Sequence, residues 1–452
     1  MPFSDEFLFG AATAAYQVEG AAGEDGRGLS IWDVFCAEPG HIYEQHTAAR
    51  SCDHYHHTDE DLNLMAALGL EAYRFSVSWP RVLPEGTGKI NERGLDFYER
   101  LTDALLERGI TPCLTLYHWD LPYALYLKGG FLNPDSSRWF ADYAALIAKR
   151  LGDRVKYFVT LNEPQCIAGL GYLTGEHAPG LKVGVRDFFL LWNNLLLSHG
   201  RAVSALRAIS PDFRIGAAST GTVCYPADDS ACSLEAAQKK MFNPSGNLHE
   251  DVWNIGLWTE PLYGGCYSEK LHELYAPYLS DPTEQEWQEI SQKLDFHAQN
   301  IYHGQAVRAD EEGKVQAVPF AAGFPRNSMG WPITPDSLYY GPKFLYERYH
   351  LPVIISENGM AAHDWPDEQG EVHDPQRCEF LRRYLTRLEQ ALSDGVDVAG
   401  YFVWSLLDNF EWSYGFSERF GLVHVDYETL RRTPKDSARW YAQTIKKRTV
   451  LQ

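Results

Sequence analysis

A chain of 452 residues with 45% apolar and 22% charged residues has an ordinary globular composition and the length to bury a large core. Its formal charge of −21 excludes the basic footprint of a nucleic-acid binder. No apolar run is long enough to cross a bilayer, Met1-Pro2-Phe3-Ser4-Asp5 has no secretory character, and none of the eight cysteines forms a Cys-x-x-Cys pair; a cytoplasmic protein without structural zinc is expected.

Short apolar runs recur along the chain, separated by longer amphipathic stretches. The first is Phe7–Ala12 and the second Ala72–Val77. Between them, Asp59–Leu68 carries Leu62, Met65, Ala66 and Leu68 at helical spacing, with Gly69 as its stop. Leu95–Arg108 reads as a helix before the run Thr111–His118, and Ser137–Arg150 as a helix before Tyr157–Glu163. Gly109 and Gly152 supply the stops. The remaining runs are Arg214–Thr220, Asp295–Tyr302, Pro352–Asn358 and Val398–Ser405. Their β-branched and aromatic content suits strands covered on both faces.

Eight strands with helices between them predict an α/β fold, a (β/α)8 TIM barrel built as a single domain over residues 1–452. An open doubly wound sheet is the rival. It wants a glycine-rich phosphate turn after its first strand, and Gly10-Ala11-Ala12-Thr13 is not one. The connections after the fourth, fifth and sixth runs exceed a single crossover helix. Extra length there is expected as loops around the active-site mouth, at the C-terminal face of the barrel.

The fourth run ends in Thr160-Leu161-Asn162-Glu163-Pro164 and the seventh in Ile355-Ser356-Glu357-Asn358-Gly359. A lone strand-end glutamate is ordinarily a solvated residue. In a barrel all strands open on one face, so two of them can meet across the mouth. Paired carboxylates are what glycosidic cleavage needs: one protonates the leaving oxygen and the other attacks the anomeric carbon. Abundant aromatic residues, 13 Trp and 26 Tyr, serve either core packing or a site that stacks on sugar rings. A histidine cluster (His41, His46, His54, His56 and His57, with Asp53) invites a metal reading. Its spacing offers no i, i+4 ligand pair among His54, His56 and His57, so no metal is expected. No cofactor motif is present.

Three separated segments resemble glycoside hydrolase family 1, the β-glucosidase family. Phe7-Leu8-Phe9-Gly10-Ala11-Ala12-Thr13-Ala14-Ala15-Tyr16-Gln17-Val18-Glu19-Gly20 is similar to its N-terminal signature. Thr-Leu-Asn-Glu-Pro at 160–164 resembles its acid/base motif, and Ser-Glu-Asn-Gly at 356–359 its nucleophile motif. The likeness runs from Phe9 to Ser437. It implies a retaining β-glycosidase with Glu163 as acid/base and Glu357 as nucleophile, acting on small β-glucosides or cello-oligosaccharides, with galactosides and fucosides tolerated. By the same resemblance Arg74, Tyr302 and Asn300 would hold the nucleophile. Gln17, His118, Trp119, Asn162, Trp404, Glu411, Trp412 and Phe420 would bind the sugar, and Trp331 would carry the aglycone.

Each of these assignments also has a physical reading. A cation such as Arg74, placed at the end of the second strand, keeps a carboxylate ionised. Tyr302 can donate to it, and Gln17, Asn162 and His118 offer neutral donors and acceptors for hydroxyls. Glu411 between Trp404 and Trp412 supplies a carboxylate beside an aromatic floor, and it is expected to repel a phosphorylated sugar. The chain departs from the family at Ser356, at Gln165 where Trp is common, and at His297-Ala298-Gln299, which bears on the aglycone. Transglycosylation, or glycan binding without catalysis, are the alternative outcomes of the same barrel.

Overall fold

The computed structural model describes residues 3–310 and 313–451. Eight parallel strands close into a barrel: β1 (Leu8–Ala12), β2 (Ala72–Ser76), β3 (Thr111–Tyr117), β4 (Tyr157–Asn162), β5 (Arg214–Ser219), β6 (Phe296–Asn300), β7 (Val353–Asn358) and β8 (Val398–Trp404). Each pairs with its neighbours in chain order, and β8 closes on β1 with Leu8 opposite Gly400 and Ala12 opposite Trp404. The (β/α)8 barrel expected from the sequence is therefore the observed architecture. All eight runs become strands, trimmed by one or two residues at an end. The helix expected at Asp59–Leu68 starts earlier, at His54; those at Leu95–Arg108 and Ser137–Arg150 span Glu92–Glu107 and Ser136–Leu151.

Strand side chains alternate between two cores. On β8, Tyr401 and Val403 pack outward under the helices, whereas Phe402 and Trp404 point into the barrel. The interior is narrow, lined largely by small residues such as Ala72, Cys113, Ala218 and Ala298. Two phenyl rings fill its base. A Cβ on Gly10 would come within 2.5 Å of Phe402, and one on Gly216 within 2.3 Å of Phe296, so both rings need glycine opposite them.

The long connections lie where they were expected, and the one joining β1 to β2 is long as well. An additional three-stranded sheet, Val223–Pro226 with Gly304–Ala309 and Val315–Ala317, grows from the loops after β5 and β6. Ions brace the C-terminal region from inside. Lys435 bridges Asp364 and Asp408 at 2.7 Å each, Arg419 reaches Asp408, and Arg377 reaches Asp364. The candidate metal cluster is spent on structure. His54 pairs with Asp61, which also holds Arg432; His56 pairs with Asp53; His41 lies against the Phe35 ring; His46 accepts from the Phe416 amide. Among the described residues no three His, Cys, Asp or Glu side chains converge on a metal position.

Candidate active site

The two glutamates reach the mouth because both strands that carry them are irregular. On β4 the ladder to β5 slips between Val159 and Asn162. Val159 points inward, Thr160 and Leu161 both face outward, and Asn162 faces inward again. On β7 the ladder slips between Ile355 and Glu357, so Ser356 and Glu357 both turn toward the interior. An extra residue in one strand re-aims a side chain in this way. Glu163 follows β4 in a left-handed conformation, φ 48° and ψ 68°, with Pro164 opening the short helix Pro164–Ala168 behind it. Trp119 and Trp412, also beside the cavity, share that uncommon positive φ. Such conformations concentrate where function over-determines the backbone.

Both carboxyls are almost wholly buried, Glu163 at 6% exposure and Glu357 at 3%. Glu357 Oε1 accepts from Arg74 Nη1 at 2.6 Å, and Oε2 accepts from the Tyr302 hydroxyl at 2.6 Å. Arg74 lies in the middle of β2 and not at its end, which corrects the sequence reading; it is 2% exposed, so this is an interior ion pair. Glu163 is held differently. Its Oε1 accepts from Asn300 Nδ2 at 2.7 Å and its Oε2 from the Cys166 thiol at 3.0 Å. Asn162 links the two halves: its Oδ1 accepts from Arg74 Nη2 at 2.6 Å and from Asn300 Nδ2 at 3.1 Å.

These surroundings set the two acids apart. Burial and the Glu357 charge push the Glu163 carboxyl up to about 7, against the pull of Cys166, Asn300 and Arg74. Burial also raises Glu357, but Arg74 and Tyr302 draw it back toward the carboxylate range. Glu163 therefore keeps its proton at a pH where Glu357 has lost its own. Burial, then Arg74, drives the His118 imidazole well below its usual range, so it is neutral. The Asn162 amide can only donate to His118 Nε2, at 3.1 Å, which leaves the His118 proton on Nδ1. Among the described residues that Nδ1 and the buried Oε1 of Gln17 have no partner. Gln17 is fixed through Nε2, which donates to Asn409 Oδ1 at 3.0 Å, to the Phe410 carbonyl at 2.8 Å and to Glu411 at 3.4 Å.

A cavity of about 460 Å³ opens over this floor, lined by Glu163, Glu357, His118, Trp119, Tyr302, Trp331, Trp404, Glu411, Trp412 and Phe420, among others. One aromatic group holds His118 stacked on Trp404 and Trp412, with Trp119 against Trp412. The Trp119 indole is pinned by donating to the Asn162 carbonyl at 2.9 Å. A second group joins Tyr302, Trp331 and Phe420. Gln17, Arg74, Asn162 and Asn300 stand behind these residues as their partners. All fourteen side chains singled out in the sequence thus belong to one assembly. The lining residues Cys166, His177, Trp253 and Met329 were not singled out. Cys166 sits two residues after the Asn-Glu-Pro turn, but only its contact with Glu163 marks it; Trp253 arrives on the long β5–β6 connection, and no local signal marks it.

The departures from the family pattern are buried behind the cavity wall. Gln165 is buried and accepts from the Thr220 amide at 3.3 Å. His297 meets Tyr263, Ser219 and Gln299, and burial lowers it to about 4. Ser356 donates to Asn300 Oδ1 at 2.6 Å, so it helps fix the amide that serves Glu163. A larger cavity, about 830 Å³, lies between the loops around Asn327 and Trp365. It contains neither glutamate, and its Glu371, His373 and Glu379 are each paired with other charges.

A parallel barrel with a buried carboxylic acid and a buried carboxylate at its mouth, walled by indoles, defines the carboxylate-pair glycosidases. Residues 1–450 match the model of glycosyl hydrolase family 1. Beta-glucosidase A of Acetivibrio thermocellus is 45% identical over 98% of both chains, and beta-glucosidase A of Thermotoga maritima 42% identical over 98% of both. The structure of the Thermotoga maritima beta-glucosidase in complex with glucoimidazole superposes with a TM-score of 0.90 at 43% identity, covering 99% of each chain. The chain belongs to glycosyl hydrolase family 1.

Proposed function

We propose that this protein is a retaining β-glucosidase that releases terminal β-D-glucosyl residues from small glucosides and cello-oligosaccharides. The observation that carries the reading is the unequal treatment of two buried carboxyls. Glu357, held by Arg74 and Tyr302, is the anion that attacks C1. Glu163, which still holds its proton at a pH where Glu357 is ionised, gives it to the departing oxygen. The glycosyl–Glu357 ester then forms. Loss of the Glu357 charge removes the repulsion that held the Glu163 proton, so Glu163 becomes a carboxylate and deprotonates the incoming water. Asn162 is placed by Arg74 and Asn300 to meet a sugar hydroxyl, and the unpartnered atoms of Gln17 and His118 are satisfied by others.

Glu411 carries the glycone's outer hydroxyls in this reading, beside Trp404 and Trp412. Its carboxyl is pushed up to about 8 by burial and then by Glu357, Glu418 and Glu163. Phosphate repulsion by Glu411 is therefore too weak by itself to exclude a phosphosugar; the other half of the sequence reading, that Ser413-Tyr414-Gly415-Phe416 supplies no lysine, carries more weight. The stronger reason is that, among the described residues, no lysine or arginine lines the cavity to neutralise a phosphate. Hydroxyl recognition through a carboxyl suits glucose and tolerates galactose or fucose. A purely glycan-binding role has no use for two carboxyls held at different protonation states. Among the described residues no helix is long and apolar enough to cross a membrane, and all eight cysteines are free thiols, which fits the cytoplasm.

The test is a panel of nitrophenyl β-glycosides. The glucoside should be cleaved well, the fucoside and galactoside measurably, and the 6-phosphoglucoside at least about 100-fold less efficiently. Preference for the 6-phosphoglucoside overturns the assignment of the glycone.

A further inference from the structure

Glu163 must be an acid in one half of the cycle and a base in the other, so its partners face contradictory demands. The Asn300 amide on Oε1 has only protons to offer: it favours the carboxylate, and in the acid it meets the carbonyl oxygen, which puts the acid's proton on Oε2. The partner on Oε2 is of another kind. Cys166 occupies the first turn of the helix that Glu163 caps, its amide bonded to the Glu163 carbonyl at 2.9 Å and its Sγ 3.0 Å from Glu163 Oε2. A thiol is both a weak donor and a weak acceptor. It can give its proton to the carboxylate, and by rotating about its C–S bond it can accept from the protonated acid.

We propose that Cys166 is a positioning residue for the acid/base: a two-way hydrogen-bond partner that holds the Glu163 carboxyl in place through both of its protonation states. The inference rests on the glycosidase reading above and adds to it a role for a side chain that touches no bond being made or broken. The side chain is buried and lines the cavity beside Glu163. Burial and the nearby Glu163, Glu357 and Glu411 hold the thiol far above its ordinary range. Cys166 consequently stays protonated while Glu163 titrates; a thiolate would repel the carboxylate and lose the donor. The other groups facing Glu163 are Glu357, Arg74, Tyr302 and Glu411, and His118 and His177 line the same cavity in neutral form.

The experiment compares Cys166→Ala and Cys166→Ser with the parent enzyme in pH profiles of kcat/KM. Two substrates are used: cellobiose, whose leaving group needs the acid, and dinitrophenyl β-glucoside, whose leaving group does not. Alanine removes a donor to the carboxylate, so the alkaline limb on cellobiose should move up by about half a unit or more. Serine keeps a two-way partner and should hold the limb at or below its parent position. The acid limb, which belongs to Glu357, should stay in place, and the dinitrophenyl substrate should show little change in either variant. Alkaline limbs within about 0.2 unit of the parent in both variants would overturn the proposal. So would equal upward shifts for alanine and serine, which would mark a packing effect. Circular dichroism melting identifies a misfolded variant, and serine, the smaller chemical change, then carries the test. If the parent enzyme cleaves neither substrate, the glycosidase reading fails instead.

Discussion

Esterification of Glu357 should release the proton of Glu163, and the size of that effect can be worked out. In the free enzyme Glu163 stands at about 7, raised by burial and by Glu357. Two unit charges at the roughly 5.5 Å spacing of retaining glycosidases repel by about 3 kcal/mol at an effective dielectric of about 20. That energy corresponds to about two pH units. Removing the Glu357 charge should thus bring Glu163 to roughly pH 5 while burial continues to hold it above a free glutamate. The perturbation is made in two ways, by Glu357→Gln and by trapping the glycosyl-enzyme with a 2-fluoroglucoside. The assay is a carbon-13 titration of glutamates labelled at the side-chain carboxyl, with Glu163→Gln to assign the signal. A Glu163 titration that stays within about 0.3 unit of its free-enzyme position in both forms would refute the reasoning. Burial alone would then keep the proton, and the switch between acid and base would need another cause.

Two further outcomes follow from the same geometry. Glu357→Gly should lose hydrolysis by roughly 10⁴-fold or more and regain turnover with azide, giving the inverted glucosyl azide. A folded variant that azide does not rescue would remove Glu357 from the nucleophile role. The ion cluster beside the barrel predicts acid sensitivity. Burial alone would raise Asp408, but Lys435 and Arg419 outweigh it and lower it from 3.8 to about 2. A depressed carboxyl contributes stability that is complete above its unfolded value and lost as pH falls through the folded one. Here that is about 2.5 kcal/mol, present above about pH 4 and gone below about pH 2. Asp408→Asn should cost about 3 kcal/mol at pH 7, with Lys435 left short of a partner, and the gap in urea unfolding should close toward pH 2. An unchanged gap across that range would contradict the assignment.

The barrel was legible because each strand is an apolar run with a helix after it, and burial on both faces enforces that pattern. The strand ends were less legible. His118, Glu163, Tyr302 and Ser405 were all read as strand, yet the chain has already left the ladder at each. Those departures build the mouth, and for Glu163, as for Glu357, the aim of the side chain depends on a slip in register that apolar patterning does not encode. Arg74 shows the converse. A mid-strand arginine breaks the apolar run, and its partners Glu357, Asn162, Thr115 and the Ser356 carbonyl make the inward position tolerable. The two glutamates were found because their local motifs are dense. Trp253 and His177 reach the cavity through long loops whose paths are set by tertiary packing, and Cys166 has meaning only once the Glu163 rotamer is known.

The anchoring of Gln17 has a consequence for the life of the chain. Gln17 comes just after the first strand, and the groups that fix it, Asn409, Phe410 and Glu411, come just after the last. In the proposed reading the glycone subsite is therefore stitched across the seam where the first strand of the barrel meets the last. A ribosome must have translated past position 411 before any glucoside can be held. A tight glycone mimic added during refolding would recognise only chains whose seam has closed and would pull the population toward that state. On that reading a bound glycone mimic reports that the last strand has found the first.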